Sequence, residues 1–201
     1  MRAARRLANL GIRPNTISVA SVVFAALGGL CLGFCTRFHD WRGPALLVGA
    51  AVFIQFRLLC NLFDGMVAVE CELKTKSGEI FNDLPDRLSD SAILLGAGYA
   101  ICELPFGVDL GWAAALLAML TAYVRLLGAT AGTKQYFLGP MAKQHRMALM
   151  TLGAVAAAIF PSQMNYILAG TLGVIAVGCV LTVFRRLFAI VWQLEDHGTK
   201  G

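Results

Sequence analysis

The sequence is dominated by apolar runs of about 20 residues, the length that an α-helix needs to cross the hydrocarbon core of a bilayer. Six such runs lie near residues 16–36, 44–69, 87–104, 111–130, 147–160 and 166–184. In a chain of 201 residues, these runs leave room for short connections only. We therefore expect residues 1–201 to form a single membrane domain, an all-α bundle of six transmembrane helices.

The composition supports this expectation and excludes an ordinary soluble domain. Hydrophobic residues make up 58% of the chain and charged residues only 14%, whereas about 25% of the residues in soluble domains are charged. The net charge of +5 would suit either a nucleic-acid partner or basic loops that face the cytoplasm. A membrane protein favours the second interpretation, so we expect contacts with membrane lipids and none with nucleic acid.

The distribution of basic residues predicts how the bundle is oriented. Six spans place both termini on one side of the membrane. Thirteen Lys and Arg residues fall on that side: Arg2, Arg5, Arg6, Arg13, Lys74, Lys76, Arg87, Lys134, Lys143, Arg146, Arg185, Arg186 and Lys200. The loops of the opposite side hold only Arg37 and Arg42. Because cytoplasmic loops are enriched in Lys and Arg, we expect both termini in the cytoplasm and the chain in a bacterial inner (plasma) membrane.

Small residues recur at four-residue spacing inside two of the spans. They are Ala25, Gly29 and Gly33 in the first span and Ala169 and Gly173 in the sixth. Such spacing allows helix backbones to approach closely. It predicts a compact bundle and is compatible with a homodimer.

Acidic residues are concentrated in the segment that joins the second and third spans. Seven of the twelve lie within 27 residues: Asp64, Glu70, Glu72, Glu79, Asp83, Asp86 and Asp90. A loop on the cytoplasmic side is ordinarily basic or neutral, so this cluster needs a counter-charge. A divalent cation is the natural candidate, because hard cations prefer oxygen ligands.

Helical spacing arranges part of this segment into two rows. One row, at the end of the second span, consists of Asn61, Asp64, Gly65 and Ala68. The other row, at the start of the third span, consists of Asn82, Asp86 and Asp90. Residues three or four apart share a helix face, so oxygen ligands of the two rows can face each other across a polar cavity open to the cytoplasm.

The alternative interpretation is that these polar residues are helix ends meeting lipid headgroups. It is the better interpretation for Glu70, Glu72, Glu79 and Asp83. It explains Asp64 poorly, because a carboxylate inside an apolar span is costly unless it is paired or bound to a metal.

The same segment resembles the signature of a known family, the CDP-alcohol phosphotransferases. That signature is D-x-x-D-G-x-x-A-R-x8-G-x-x-x-D-x-x-x-D, and the chain reads NLFDGMVAV, eight residues, and GEIFNDLPD over residues 61–86. The spacing agrees throughout. The resemblance extends to Arg13–Thr16, before the first span, and to Tyr123–Arg125 in the fourth.

The resemblance implies a reaction in phospholipid biosynthesis. An acceptor alcohol attacks a CDP-linked lipid, CDP-diacylglycerol in the first instance, and CMP leaves. It implies that Asn61, Asp64, Asn82 and Asp86 bind one or two Mg²⁺ or Mn²⁺ ions and that Asp86 is the catalytic base. The implied substrate-binding residues are Asn15, Gly65, Ala68, Gly78, Asp90, Arg125, Lys143 and Arg146.

Three positions depart from the signature. Asn61 and Asn82 replace the first and third aspartates, and Val69 replaces the arginine. Asparagine keeps a carbonyl oxygen but removes a negative charge, and dications bind partly by charge count. We therefore expect weaker or single-ion occupancy, which Asp83 or Asp90 could in part compensate.

Basic residues of the fourth span and the following loop suit an acceptor that carries a phosphate. Arg125, Lys143 and Arg146 lie on the same predicted side as the acidic rows, and Arg binds phosphate well through its forked donors. Simple anchoring of the loop is the alternative for Lys143 and Arg146 and the better interpretation for Lys134. Arg57, in the middle of the second span, could pair with Asp90 or with Glu103.

Two other functions compete with the enzyme. One is a non-catalytic family member that binds a CDP-lipid or a nucleotide. The other is a small carrier or channel whose acidic row is an ion site. The carrier is disfavoured because the acids cluster at one face rather than at the bilayer midplane, and the sequence shows no internal repeat.

Overall fold

The protein is an all-α bundle, as the sequence predicts. The computed structural model describes residues 14–70, 78–133 and 138–198, in which every regular element is helical. The α-helices of these ranges are α1 (Pro14–Phe34), α2 (Arg42–Glu70), α3 (Gly78–Ala100), α4 (Gly107–Thr130), α5 (Lys143–Ile159) and α6 (Met164–Gly198). Short 3₁₀ turns, Cys35–Arg37 and Pro161–Gln163, follow α1 and precede α6.

The six helices pack in a closed ring. Helix α1 packs against α2 and α3, α5 packs against α2 and α6, and α4 packs against α3 and α6. The order around the ring is therefore α1, α2, α5, α6, α4, α3. Ion pairs to the first half of α3 from α2, α4 and α5 place the end of α2, the end of α4 and the start of α5 at the same end of the bundle as the start of α3.

Four of the helices are long and apolar enough to cross a membrane. The corresponding segments are Asn15–Arg37, Arg42–Val67, Gly107–Thr130 and Pro161–Asp196. Helix α5 has only 17 residues, and α3 carries several charges in its first half. The chain is a membrane protein on this evidence, and the count of six crossings stays a prediction.

Two helices have bounds that differ from the predicted runs. Helix α3 begins at Gly78, before the predicted start at residue 87, because the charges around Asp83 and Asp86 lower the hydropathy of its first turns. Helix α6 continues to Gly198, well past the predicted end at residue 184. Its charged pair, Arg185 and Arg186, lies inside one helix and does not end it.

The distribution of side chains is the reverse of that in a soluble protein. Large apolar side chains such as Trp41, Tyr166, Phe188 and Trp192 are exposed on the outside of the bundle. Several charged side chains are buried inside it, among them Arg57, Asp64, Asp86, Asp90, Arg146 and Arg186. A lipid environment accounts for the apolar exterior, and buried charges in such an environment mark functional sites.

Close helix packing is confirmed for the small residues of the first span. A Cβ atom at Gly29 would overlap the backbone carbonyl of Ala92, and one at Gly96 would overlap the backbone of Gly29. Helices α1 and α3 therefore cross in backbone contact. Within the described part of the chain, nothing lies within 4 Å of a Cβ at Gly173 of α6, so no close helix contact is seen there, and the homodimer stays a prediction.

Some of the predictions fall outside the described structure. Lys74, Lys76 and Lys134 lie beyond the described residues, as does the acidic Glu72. Ala68, Gly78 and Asn82 belong to helices, but their side-chain surroundings are not among those described. Their roles in the site stay predictions.

Candidate functional site

The two predicted rows meet at the end of the bundle where α2 ends and α3 begins. Asp64 of α2 is buried, and its Oδ2 accepts a hydrogen bond of 2.7 Å from the Ser18 hydroxyl of α1. Gly65, the next residue, is exposed, and among residues 14–70, 78–133 and 138–198 no atom outside its own helix backbone lies within 4 Å of where a Cβ would be. One side of the α2 row is therefore open, as the small residue predicts.

Asp86 of α3 contacts both the α2 row and the start of α5. Its Oδ1 accepts hydrogen bonds from Asn61 Nδ2 at 2.9 Å and from Arg57 Nη2 at 3.3 Å. Its Oδ2 accepts a hydrogen bond from Lys143 Nζ. Asn61 thus meets Asp86 through its amide nitrogen, whereas the sequence predicts that its carbonyl oxygen serves as a ligand.

Asp90, one turn further along α3, is held between two arginines. Its Oδ1 accepts a hydrogen bond from Arg57 Nη2 at 2.7 Å. Its Oδ2 accepts two from Arg146, Nη2 at 2.6 Å and Nε at 3.2 Å. This arrangement resolves the partner of Arg57, because Glu103 instead accepts a hydrogen bond from Asn165 at 3.2 Å.

Arg57 has hydrogen-bond donors that its two carboxylate partners do not use. Its side chain is 0% exposed, and its Nε and Nη1 have no hydrogen-bond partner among the described residues. Buried donors are ordinarily paired. A buried arginine in a membrane bundle is a functional candidate by default, and the position of Arg57, four residues before Asn61, is the sequence signal that places it on the same helix face.

Asp83 is half-buried and pairs with two arginines next to these residues. Its Oδ1 accepts hydrogen bonds from Arg125 Nη2 at 2.5 Å and from Arg87 Nη2 at 3.2 Å. The sequence interpretation of Asp83 as a simple helix-end charge is therefore incomplete. Arg125, predicted as a phosphate ligand, is one of the groups that anchor Asp83.

Arg186 is a buried cation that the sequence analysis counts only among the basic residues of the predicted cytoplasmic side. It is buried, and its guanidinium donates to the backbone carbonyls of Thr121 at 2.5 Å and Leu138 at 2.9 Å. Thr121 also accepts a hydrogen bond on Oγ1 from Arg146 at 3.3 Å. Nothing in the local sequence separates Arg186 from Arg185, so only the helix register of α6 reveals it.

The segment that enters α5 is fixed by a glycine. Gly139 has φ of +120°, a conformation that side chains with a Cβ rarely adopt. It allows the Met141 backbone N–H to donate to Thr182 of α6 at 3.1 Å. The Met141 carbonyl then accepts a hydrogen bond from Arg146 at 2.8 Å, which orients that guanidinium toward α3.

Residues of α3, α4, α6 and the start of α5 surround a cavity of about 830 Å³. Its charged lining consists of Asp83, Asp86, Arg87, Arg125, Lys143, Arg146 and Arg186. Five basic groups therefore face two acidic ones. Such a lining attracts anions, and arginines present forked donors that match phosphate oxygens.

The predicted site residues do not all line this cavity. Asp86, Arg125, Lys143 and Arg146 line it. Asp90 is engaged by two arginines, as described above. Asn15, near the start of α1, is half-buried and stays a prediction as a substrate-binding residue.

A preformed cluster of several metal ligands is not seen in the described part of the chain. Within residues 14–70, 78–133 and 138–198, no three His, Cys, Asp or Glu side chains are grouped to hold an ion. Asp64, Asp86 and the Asn61 carbonyl are nevertheless hard oxygen donors of the kind that Mg²⁺ and Mn²⁺ prefer. This donor set fits a divalent ion with fewer carboxylates than the family signature supplies.

Sequence comparison places the chain beside membrane proteins of bacteria. No family model matches the chain. It is 28% identical over 156 residues to the inner membrane protein YnbA of Escherichia coli, covering 77% of this chain and 73% of that protein. It is 24% identical over 193 residues to the phosphatidylinositol phosphate synthase of Mycolicibacterium smegmatis, covering 93% and 81% respectively.

Structural comparison shows the fold of the chain. The chain is similar to the Mycobacterium tuberculosis phosphatidylinositol phosphate synthase crystallised with manganese and citrate, with a TM-score of 0.78, 21% identity and coverage of 94% of this chain and 87% of that one. The same enzyme with CDP-DAG bound gives a TM-score of 0.78 and coverage of 94% and 92%. The chain therefore has the fold of that synthase, and the resemblance to the CDP-alcohol phosphotransferases is confirmed.

Proposed function

We propose that this protein is a CDP-alcohol phosphatidyltransferase of bacterial phospholipid biosynthesis. It would move a phosphatidyl-type group from a CDP-linked lipid to an acceptor alcohol and release CMP. The observation that carries the proposal is the basic cavity between α3, α4, α5 and α6, which Asp86 borders. The similarity to a phosphatidylinositol phosphate synthase over 93% of the chain supports the reaction class.

The donor we propose is CDP-diacylglycerol. CDP-DAG is bound in a structure with the same fold, and the open face of the α2 row beside Gly65 gives a nucleotide close access to the backbone. The diacylglycerol chains would lie along the apolar exterior of the bundle. Asn15, Ala68 and Gly78 are predicted to complete the donor site.

The acceptor we propose is a small alcohol that carries a phosphate. Lys143 and Arg146 lie within reach of Asp86 and Asp90 and also line the cavity. They would hold the phosphate so that the acceptor hydroxyl lies against Asp86. A carboxylate there can accept the proton as the hydroxyl attacks.

A divalent ion fits this scheme at Asp64, Asp86 and Asn61. Mg²⁺ or Mn²⁺ bound there would neutralise pyrophosphate charge during phosphoryl transfer. The neighbouring fold was crystallised with manganese. We propose one ion, since Asn61 and Asn82 remove two carboxylates, and a second ion would need the charge they lack.

The decisive experiment measures CMP release from CDP-diacylglycerol by the purified protein. The acceptor panel includes glycerol 3-phosphate, inositol phosphate and their unphosphorylated alcohols, each with Mg²⁺ or Mn²⁺. We expect CMP release that depends on a phosphorylated acceptor. Asp86→Asn is the matched variant, because it keeps the shape of the side chain and removes the base.

A second candidate is a non-catalytic protein that binds CDP-lipid. The contact of the Asn61 amide nitrogen with Asp86 favours it, because a donor stands where the signature has an anionic ligand. Binding of CDP-diacylglycerol without CMP release for any acceptor would select this candidate over the enzyme.

We also propose that the cavity opens to the cytoplasm and that both termini lie there. The excess of Lys and Arg on that side supports this orientation. In a variant without the native cysteines, single cysteines placed within residues 71–77, between α2 and α3, should react with an impermeant maleimide only after the membrane is permeabilised. Labelling of this loop in intact cells would reverse the orientation.

A further inference from the structure

Asp86 is the point where the predicted metal row and the basic cavity meet. On one oxygen it accepts hydrogen bonds from Arg57 and Asn61 of α2, and on the other it accepts one from Lys143 of α5. A divalent ion that uses Asp86 must share this carboxylate with a positive charge already on it. Two cations at one carboxylate oxygen repel each other strongly at contact distance.

The partners of Asp86 differ in their freedom to move. The Arg57 side chain is 0% exposed and is also held by Asp90. The Lys143 side chain is 25% exposed, lies in the first turn of α5 and lines the cavity. Lysine also has a flexible stem and a compact charge. Lys143 is therefore the partner that can leave Asp86 at least cost.

We propose that Lys143 is a positioning residue with two alternative partners, Asp86 when no divalent cation is present and the acceptor's phosphate when a cation has displaced it. This inference rests on the proposed function, since that function supplies the cation and the phosphate. Lys143 then sets the order in which the cation and the phosphate bind. The cation replaces the Lys143 ammonium group at Asp86, and the freed ammonium group turns into the cavity. Arg57 stays in place throughout.

Such an exchange makes the two ligands cooperative. If a cation frees Lys143 for phosphate, then phosphate, by holding Lys143 away from Asp86, must favour the cation by the same factor, because coupling between binding sites is reciprocal. Typical coupling of this kind is about 5- to 150-fold. A lysine that merely anchors the loop would give no coupling.

The test titrates Mn²⁺ into detergent-purified protein and follows free Mn²⁺ by electron paramagnetic resonance. We expect Lys143→Met to bind Mn²⁺ about tenfold more tightly than the wild type, because the competing charge is gone. Arg87→Met is the matched control: it removes a positive charge from the same cavity lining, but from a side chain that contacts Asp83 and not Asp86. Lys143→Arg should keep the wild-type affinity within about threefold, since the charge remains.

A second measurement follows the binding of inorganic phosphate with and without Mn²⁺. In the wild type we expect Mn²⁺ to strengthen phosphate binding about fivefold or more, and in Lys143→Met we expect that strengthening to disappear. A thermal unfolding profile of each variant shows that the bundle is intact, and Lys143→Arg covers the case in which Lys143→Met does not fold.

Three results would overturn the inference. The first is equal Mn²⁺ affinity in Lys143→Met and the wild type, and the second is an equal gain in Mn²⁺ affinity in Lys143→Met and Arg87→Met. The third is a phosphate affinity of the wild type that does not change with Mn²⁺. The proposed function fails on a different result, the absence of both CMP release and CDP-diacylglycerol binding. The two can therefore be rejected separately.

Discussion

The bundle has a cavity at each end, and the two cavities differ in whether the ion pairs beside them are buried or exposed. The cavity of about 830 Å³ is bordered by Asp86 and Arg146, which form buried ion pairs with Arg57 and Asp90 respectively. The other cavity, of about 610 Å³, lies where α2 begins, and its polar lining is Thr36, His39, Asp40 and Glu103. There, Asp40 meets Arg42 at 3.5 Å, with side chains 50% and 58% exposed.

The charged pairs at the Asp86 end are buried inside the bundle, whereas the Asp40–Arg42 pair at the other end is exposed to solvent or headgroups. Taking an ion pair out of water costs several kcal/mol per ion, and good geometry is needed to offset it. A bundle retains such pairs where function uses them. We therefore assign the proposed function to the Asp86 end of the molecule, and the opposite cavity supplies controls for it.

The largest effect we expect is on catalysis. Asp86→Ala should reduce CMP release by roughly 10²- to 10⁴-fold, the usual contribution of a general base, and Asp64→Ala should cause a loss of the same order by removing the facing carboxylate. Glu103→Ala, at the opposite cavity, and Glu72→Ala, in the predicted loop, should change little. Equal losses in all four variants would show that bulk negative charge, and not the geometry of the rows, sustains activity.

The next effect is on stability. Asp90→Ala leaves Arg57 and Arg146 buried without their shared carboxylate, and removal of one partner of a buried pair typically costs about 3–5 kcal/mol. We expect that loss in the free energy of unfolding, measured in mixed micelles by titration with SDS. Asp40→Ala serves as the comparison at the other end. A similar, small loss in both variants would mean that the Asp90 network does not hold the helices together.

A gain of function should follow from Asn61→Asp, which adds a carboxylate beside Asp86. At an effective dielectric constant of ~20, one charge at about 4 Å is worth ~4 kcal/mol before screening, so calorimetry should show Mg²⁺ or Mn²⁺ binding at least about tenfold tighter. The double variant Asn61→Asp/Asn82→Asp should shift the stoichiometry toward two ions.

The opposite cavity offers a matched control for this gain. Asn165 donates to Glu103 at 3.2 Å, as Asn61 donates to Asp86. Asn165→Asp places a new carboxylate beside Glu103 alone. Asn61→Asp places one beside Asp86 and on the helix face that carries Asp64. We expect no gain in metal affinity from Asn165→Asp. Unchanged affinity in Asn61→Asp as well, or unfolding that metal does not rescue, would favour the non-catalytic binder.

The smallest effect concerns the exposed pair. Arg42→Ala should lower the free energy of unfolding by less than about 1 kcal/mol, because half-exposed ion pairs are screened by water and salt. The same SDS titration, with Arg57→Met for comparison, measures it. A loss from Arg42→Ala as large as that from Arg57→Met would remove the distinction between the two ends.

The rows of the site are readable from the sequence because they depend on local geometry. Apolar runs define where helices form, and spacings of three and four place Asn61 with Asp64 and Asp86 with Asp90 on shared faces. The charges near Asp83 lower the hydropathy of the first turns of α3, so the search for apolar runs misses those turns. The spacing of the family signature then predicts which of these residues bind a metal ion and which bind substrate.

What the sequence by itself determined is therefore the all-helical membrane class and the two rows of polar residues. Only the tertiary structure decided the pairings: Arg57 with Asp86 and Asp90, Arg125 with Asp83, and the burial of Arg186 against Thr121. These partners lie 29 to 65 residues apart in the chain. Such contacts follow from the ring order of the helices and the register of each one, and neither is encoded in the spacing of neighbouring residues.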